Sequence, residues 1–270
     1  MPIDTSSYYP EVTPPGGDRD ENSLNSRHTS LFGENLEKPT PEDSEEEKQH
    51  TEPAPAPQEN HEKGWEKLAD NVSHFLSWAL VPLLMPVYGI IFIFRLSVLD
   101  VVTPRMQTAF VFIIAGINFV IPVLIILLLK FLGIVKDVGL NGQKERAVPY
   151  IITALCYGAS AWFLAVKGAP VWVCMFFTGG AVASVINMII NFRWKISAHA
   201  AAIAGVVALL IRLEKDVAVE PQLFLWLLIT VGAAGLLGSS RVWLGRHTVW
   251  QVMAGYVVGF CSVFFLMAIH

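Results

Sequence analysis

A polar stretch near the C-terminal end of the sequence carries three side chains whose types and spacing suit phosphoryl chemistry. Arg241 can hold phosphate oxygens through the rigid fork of its guanidinium group. His247 lies just before an apolar run that predicts a helix, where an imidazole could act as a nucleophile or a proton carrier. Gln251 comes one helical turn later, so its amide would share a face with His247 and could hydrogen-bond the imidazole. These three residues are candidates for catalysis and phosphate binding.

Two earlier loops add candidates of the same kind. Lys195, Ser197 and His199 lie at the start of a helix of small residues, and a helix N-terminus presents unsatisfied N–H groups to an anion. Ser197 could donate a further hydrogen bond, and His199 is placed to protonate a leaving oxygen. Lys144 and Arg146 supply two more cations shortly before another predicted helix. We therefore predict a phosphate-binding role for the residues Lys144, Arg146, Lys195 and Ser197.

Each of these residues also has an ordinary structural explanation. A single Lys or Arg beside a membrane helix is commonly an interface anchor, and a single His at a helix end is commonly structural. Ser197 would serve equally well as a helix N-cap. A functional site is favoured by joint occurrence, because two histidines, one serine and several cations lie at three helix ends.

Seven apolar segments are candidates for membrane crossings, which need about 20 helical residues. Backbone groups in lipid need internal partners, so we predict an all-α, polytopic transmembrane helical bundle of six or seven helices. The count depends on the first segment, which Pro82 and Pro86 would kink and could make re-entrant. Consecutive candidate loops are separated by two crossings, so all three loops share one face of the membrane. The predicted segments are residues 75–94, 107–129, 150–166, 170–190, 197–212, 222–238 and 249–268.

The two ends of the chain differ sharply in composition. Residues 1–64 carry fifteen Asp/Glu against five Lys/Arg, a net charge of −10, with few large apolar side chains. Such a segment cannot bury enough apolar surface to offset the entropy of ordering it, so we predict a disordered, acidic, proline-rich tail. Residues 65–270 carry fourteen Lys/Arg against eight Asp/Glu, a net charge of +6, and form the predicted transmembrane domain.

Three motifs resemble the signatures of the type 2 phosphatidic acid phosphatase superfamily. Ser240 and Arg241, followed after five residues by His247, match the third signature. Residues 195–199, Lys-Ile-Ser-Ala-His, resemble the second signature, whose usual form is Pro-Ser-Gly-His. Residues 144–149 resemble the first signature less closely. The resemblance covers roughly residues 105–270.

The resemblance implies a membrane lipid phosphatase that hydrolyses a phosphomonoester or diphosphate headgroup, of the phosphatidate-like or isoprenyl diphosphate kind. His247 would attack phosphorus and form a phosphohistidine, while His199 would protonate the leaving oxygen. The family is metal-independent, so we expect no metal and no cofactor, and the expected partners are the lipid substrate and the bilayer, not a nucleic acid. The phosphoryl oxygens would be neutralised by the cationic group, namely Arg241, Arg146, Lys144 and the Ser197 region.

Three departures from the signatures keep an alternative open. Gln251 replaces an Asp, Ala198 replaces a Gly, and Gly139 stands where the first signature has Lys. The alternative is a catalytically weak or inactive phospholipid-binding or scaffolding membrane protein of the same fold. A transporter and a prenyltransferase are disfavoured, since no ionisable residue marks a mid-membrane path and no Asp-rich motif occurs. The side of the membrane stays open, because the cations of the shared face favour the cytoplasm whereas many bacterial relatives work outside it. The expected location is the cell or inner membrane.

Overall fold

The structure is a computed structural model that describes residues 58–132, 147–216 and 222–269. The predicted tail, up to residue 57, lies outside the described residues, and so do Lys144 and Arg146. The first helix begins at Gln58, within the range that we assigned to the tail. All regular structure in the described ranges is helical, which confirms the all-α prediction.

Nine α-helices make up the described part of the chain. Six helical stretches are long and apolar enough to cross a membrane, and two of these, Gly64–Leu96 and Pro104–Phe131, each contain more than one helix. Large apolar side chains such as Phe112, Leu124 and Leu155 are exposed on the outside of the bundle, as expected of a surface in contact with lipid. The chain is therefore a multi-pass membrane protein. The helices are α1 Gln58–Ala79, α2 Met85–Leu96, α3 Pro104–Ala115, α4 Ile121–Phe131, α5 Ala147–Val166, α6 Val171–Asn191, α7 Ala198–Asp216, α8 Leu223–Trp243 and α9 Val249–Leu266.

Six of the seven predicted segments correspond to these apolar stretches, and the remaining segment, residues 197–212, corresponds to α7. This helix forms as predicted but is not among the six stretches. Its last turns contain Arg212, Glu214 and Lys215, which raise the number of charged residues above that of a typical crossing. Its remaining residues are mostly small or aliphatic, and many of them are buried against neighbouring helices.

The first apolar segment is broken at the position that its prolines predict. α1 ends at Ala79, a short 3-10 turn covers Pro82–Leu84, and α2 begins at Met85. Val81 is extended, with φ −63° and ψ 140°, as a residue before proline prefers. The hydroxyl of Tyr88 donates a hydrogen bond of 2.9 Å to the carbonyl of Ala79, so the last turn of α1 is fixed to α2. The predicted kink is confirmed.

One close helix contact joins the parts of the chain that carry His199 and His247. α7 packs extensively against α9, and Gly255 and Gly259 of α9 face the small residues at the start of α7. A Cβ atom on Gly259 would overlap the backbone of Ala201, and a Cβ on Gly255 would crowd the carbonyl of Ser197. Small residues four apart therefore let the two helix backbones approach closely. This approach brings the start of α7, with His199, beside the start of α9.

We expect Gly259→Ala to destabilise the protein, because the obstructing atoms belong to the backbone of Ala201 and cannot rotate away. Overpacking of this kind costs about 1–3 kcal/mol. The effect should appear as a lower midpoint of thermal unfolding in detergent, with a parallel loss of any activity that needs both histidines. Gly232→Ala on α8 is the matched control, since nothing lies within 4 Å of its Cβ position. An unchanged midpoint for Gly259→Ala would contradict this account of the α7–α9 contact.

Candidate phosphate-binding site

A cavity of about 690 Å³ lies inside the helical bundle and brings together four of the eight predicted site residues, namely Lys195, His199, Arg241 and His247. The start of α7, the end of α8 and the turn between α8 and α9 all contribute to its wall. Its basic and imidazole side chains include those of Lys195, His199, Arg241, Arg246 and His247.

The cavity extends from these residues into the apolar interior. Val206 also lines it and lies seven residues after His199, which corresponds to about 10 Å along α7. Val263 lines it too and lies fourteen residues into α9, about 21 Å from the first residue of that helix. Phe176 and Ile126 add further apolar wall. The cavity therefore offers a polar region for a headgroup and an apolar region for a hydrocarbon chain.

The turn between α8 and α9 explains the spacing of Arg241 and His247. Gly245 has a φ of 61°, a left-handed conformation that glycine adopts without steric cost and that ends the helix. The N–H groups of Arg246 and His247 both donate to the carbonyl of Arg241, at 3.1 and 3.2 Å. Five intervening residues thus form one compact turn. This turn places the guanidinium and the imidazole on the same cavity.

The hydrogen bonds of Gln251 determine which ring nitrogen of neutral His247 carries the proton. The Oε1 atom of Gln251 accepts a hydrogen bond from the backbone N–H of Thr248 at 3.2 Å. It also lies 3.2 Å from Nδ1 of His247. Because the backbone N–H can only donate, the amide atom at this position must be the oxygen, and Nδ1 of neutral His247 must carry the proton. The lone pair of the imidazole is then on Nε2.

Gln251 also supports the start of α9. The hydroxyl of Thr248 accepts from the N–H of Gln251 at 3.4 Å, which completes a reciprocal capping box with the bond from Thr248 to Oε1. The carbonyl of Gln251 accepts from the N–H of Ser197 at 3.2 Å, so the same residue connects the start of α9 to the start of α7. Gln251 lies behind His247 and is not part of the cavity wall.

Two residues of the second motif, Lys195 and Ser197, make hydrogen bonds to the backbone of the protein itself. Ser197 is fully buried, lies outside the cavity wall, and its hydroxyl accepts from the N–H of Ala200 at 3.4 Å, as an N-cap does. Lys195 lines the cavity, and its Nζ donates to the backbone carbonyl of Arg246. Lys195 therefore connects the second motif to the turn of the third motif.

His199 and Arg241 share a hydrogen-bond partner, Ser77, that lies outside all three motifs. Nε2 of His199 lies 3.2 Å from the carbonyl oxygen of Ser77, and Nη1 of Arg241 donates to the Ser77 hydroxyl at 3.3 Å. Burial lowers the pKa of His199, and the charges of Arg241 and His247 lower it further, although the bond to Ser77 opposes them. His199 is therefore neutral near pH 7 in the absence of an anion. Nε of Arg241 is buried and has no hydrogen-bond partner within the described residues.

Several residues that line the cavity were not predicted from the sequence. Arg246 lines the cavity next to His247, and its position beside a candidate histidine was a usable signal. His74 and Ser77 come from α1, which carries no motif. Pro149, Tyr150 and Thr153, in the first turns of α5, also line the cavity. α5 begins at Ala147, directly after the predicted cation Arg146 in the sequence, and its first turns belong to this wall.

The composition of the cavity wall suits an anion. Within the described part of the chain, no Asp or Glu side chain lines it. The same part contains no group of three or more His, Cys, Asp or Glu side chains that could hold a metal ion. Six cationic or potentially cationic side chains line the described wall and can offer charge-assisted hydrogen bonds to a group with several negative charges, such as phosphate; they are His74, Lys195, His199, Arg241, Arg246 and His247.

Comparison with known proteins agrees with the motifs. Residues 177–270 match the family model of the PAP2 superfamily, whose members are generally phosphatases that act on lipid-type phosphates. No curated protein and no solved structure matches the chain. The matched stretch includes His199, Arg241 and His247 and leaves out α1 to α5. The motifs and this match together support membership of the type 2 phosphatidic acid phosphatase superfamily.

Proposed function

We propose that the protein hydrolyses the phosphomonoester or diphosphate headgroup of a membrane lipid through a phosphohistidine intermediate on His247. The observation that carries the proposal is the Gln251 contact, which puts the proton of His247 on Nδ1 and its lone pair on Nε2. An imidazole held in this form beside Arg241 is suited to nucleophilic attack on phosphorus. The match of residues 177–270 to a phosphatase superfamily supports the same reaction.

In the proposed first step, Nε2 of His247 attacks phosphorus, and the bond between phosphorus and the leaving oxygen breaks. His199 gives a proton to that oxygen, so that the lipid leaves as an alcohol, or as a monophosphate if the substrate is a diphosphate. In the second step a water molecule attacks the phosphohistidine, His199 takes a proton from the water, and inorganic phosphate is released. His247 returns to its starting form.

Charge compensation explains how a neutral His199 gains its proton. Arg241 lowers the pKa of His199 in the empty site. A bound phosphate with two negative charges compensates the charge of Arg241 and favours the imidazolium. The general acid is thereby formed when the substrate binds. Stabilisation of the transferring phosphoryl group comes from the cationic group, Arg241, Arg246 and Lys195, with Arg146 and Lys144 as further members.

The proposed substrate is an amphiphile. The cationic part of the cavity fits a phosphate headgroup, and the apolar part between α6, α7 and α9 fits the first segment of an acyl or isoprenyl chain. Both phosphatidate-like lipids and isoprenyl diphosphates have this division. A panel that contains both classes, presented in detergent micelles, therefore serves as the primary assay.

We expect phosphate release from this panel to persist in excess chelator and to be inhibited by orthovanadate. The expectation follows from a donor set of imidazole, guanidinium and ammonium groups, which binds the phosphoryl oxygens without a bridging cation. Vanadate imitates the five-coordinate phosphoryl group and should compete with substrate. Initial rates with and without each reagent measure both effects. Activity that is lost in chelator and restored by Mg²⁺ would exclude the proposed mechanism.

The alternative function is binding of a phospholipid without turnover, and it is favoured by one observation. Gln251 is neutral where the superfamily signature has a carboxylate, so it orients His247 without stabilising the positive charge that develops during attack. A purified protein that binds vanadate but releases no phosphate from any lipid of the panel would establish this alternative.

A further inference from the structure

Helix α1 lies outside the three motifs and outside the matched family region, yet it reaches the candidate site. Ser77, in its last turn, is in hydrogen-bond contact with both His199 and Arg241 through two different oxygen atoms. These residues lie 122 and 164 positions away in the sequence. One residue of a separate helix therefore connects the general acid to a phosphate ligand of the proposed mechanism.

The contact with the Ser77 carbonyl determines the tautomer of His199. A carbonyl oxygen only accepts hydrogen bonds, so Nε2 of His199 must carry the proton at 3.2 Å from it. In the neutral imidazole the lone pair is then on Nδ1. The bond made by one ring nitrogen sets the protonation of the other and fixes the plane of the ring. Ser77 thus does for His199 what Gln251 does for His247.

The contact with the Ser77 hydroxyl orients Arg241. A guanidinium has five N–H donors, and the Ser77 hydroxyl takes one of them, on Nη1. Nε of Arg241 has no partner within the described residues, although it is buried. A buried donor without a partner is costly unless an acceptor arrives. Ser77 thus holds the Nη1 end of the Arg241 guanidinium in place. Other N–H donors of the same guanidinium, including that on Nε, are left for an anion.

Two further contacts hold α1 at this position. The indole Nε1 of Trp243, at the end of α8, donates to Oδ1 of Asp70 at 2.9 Å. The hydroxyl of Tyr88 on α2 holds the carbonyl of Ala79, two residues after Ser77. The position of Ser77 is therefore set on both sides, by α8 and by α2.

We propose that Ser77 is a positioning residue of the phosphatase site and that α1 belongs to the catalytic unit. This inference rests on the proposed function. Ser77 acts through His199 and Arg241 and makes no bond to phosphorus itself. It fixes the tautomer of His199 through its carbonyl and the direction of the Arg241 fork through its hydroxyl.

The test is Ser77→Ala in the full-length protein, which removes the hydroxyl and keeps the carbonyl. Loss of a hydrogen bond to a charged group predicts a loss of about tenfold in kcat/KM, with orthovanadate inhibition weakened by a similar factor. Ser77→Thr keeps a hydroxyl and should recover most of both quantities. Ser73→Ala is the matched control, because it deletes a hydroxyl one turn earlier on the same helix and outside the cavity wall. It should behave as wild type.

A second measurement separates this inference from the proposed function. Protection by orthovanadate against thermal unfolding reports anion binding even in a protein without turnover, and Ser77→Ala should reduce it. Absence of phosphate release by the wild type, with this reduction retained, would overturn the proposed function and leave Ser77 as a positioning residue for the anion. Unchanged kinetics and unchanged vanadate protection in Ser77→Ala would overturn the inference. Tighter vanadate binding in that variant would also overturn it, since Ser77 would then compete with the anion.

Discussion

His247→Ala is expected to lower phosphate release by the purified protein on the order of 10⁴-fold or more, the scale seen when a nucleophile is removed from a covalent enzyme. The reason is that Nε2 of His247 forms the bond to phosphorus, and neither Arg241 nor His199 can replace it in that step. Initial rates on the most reactive lipid of the panel give the first measurement. Gel filtration and thermal unfolding check that the variant is folded.

A trapping experiment tests directly for the phosphohistidine on His247. Rapid denaturation in alkali of wild-type protein that is turning over a phosphate-labelled lipid should leave label on the protein, because a phosphohistidine survives alkali and is lost in acid. The label should be absent from His247→Ala. His74→Ala is the control for the loss of an imidazole from the cavity wall, and it should retain the label. Wild-type turnover in His247→Ala would show that the nucleophile is misassigned.

The helical architecture followed from hydropathy because the bilayer imposes a simple constraint. Apolar segments of sufficient length must form helices in lipid, and each of the six stretches in the structure overlaps a predicted segment, although the first stretch begins at Gly64 and not at residue 75. The break between α1 and α2 was predictable because Pro82 removes a backbone donor and restricts the residue before it. The helix start at Gln58 was missed because α1 begins in a charged stretch where no hydropathy signal distinguishes it from the tail.

The candidate site was predictable to the extent that its residues belong to local motifs. His247 and Gln251 are one turn apart, so sequence spacing alone predicted their contact, which is confirmed at 3.2 Å. Ser77 was invisible in the sequence, since its partners are more than a hundred residues away and only the packing of α1 on the bundle brings them together. The contact of Lys195 with the Arg246 carbonyl is of the same long-range kind.

Gln251 is the position where the chain departs most clearly from the superfamily pattern, and the structure separates its two contributions. One is the start of α9, which depends on the capping box with Thr248. The other is the tautomer of His247, which depends on Oε1. Thr248→Ala removes the hydroxyl half of the capping box and keeps the acceptor for His247. It is therefore the matched control for helix stability, and we expect it to lower the free energy of unfolding by about 1 kcal/mol.

Gln251→Leu is expected to lower turnover on the order of 100-fold, because Nδ1 of His247 loses its acceptor and the ring can populate the tautomer with its proton on Nε2. Gln251→Glu keeps an acceptor of the same length for both His247 and Thr248 and adds a charge that stabilises the imidazolium developing during attack. It should match the wild type or exceed it. The measurement is the initial rate of phosphate release by the three variants Gln251→Leu, Gln251→Glu and Thr248→Ala. It separates the orientation of His247 from the stability of the start of α9. A loss in Thr248→Ala as large as that in Gln251→Leu would assign the effect to the helix start, and inactivity of Gln251→Glu beside an active wild type would exclude the orienting role of Oε1.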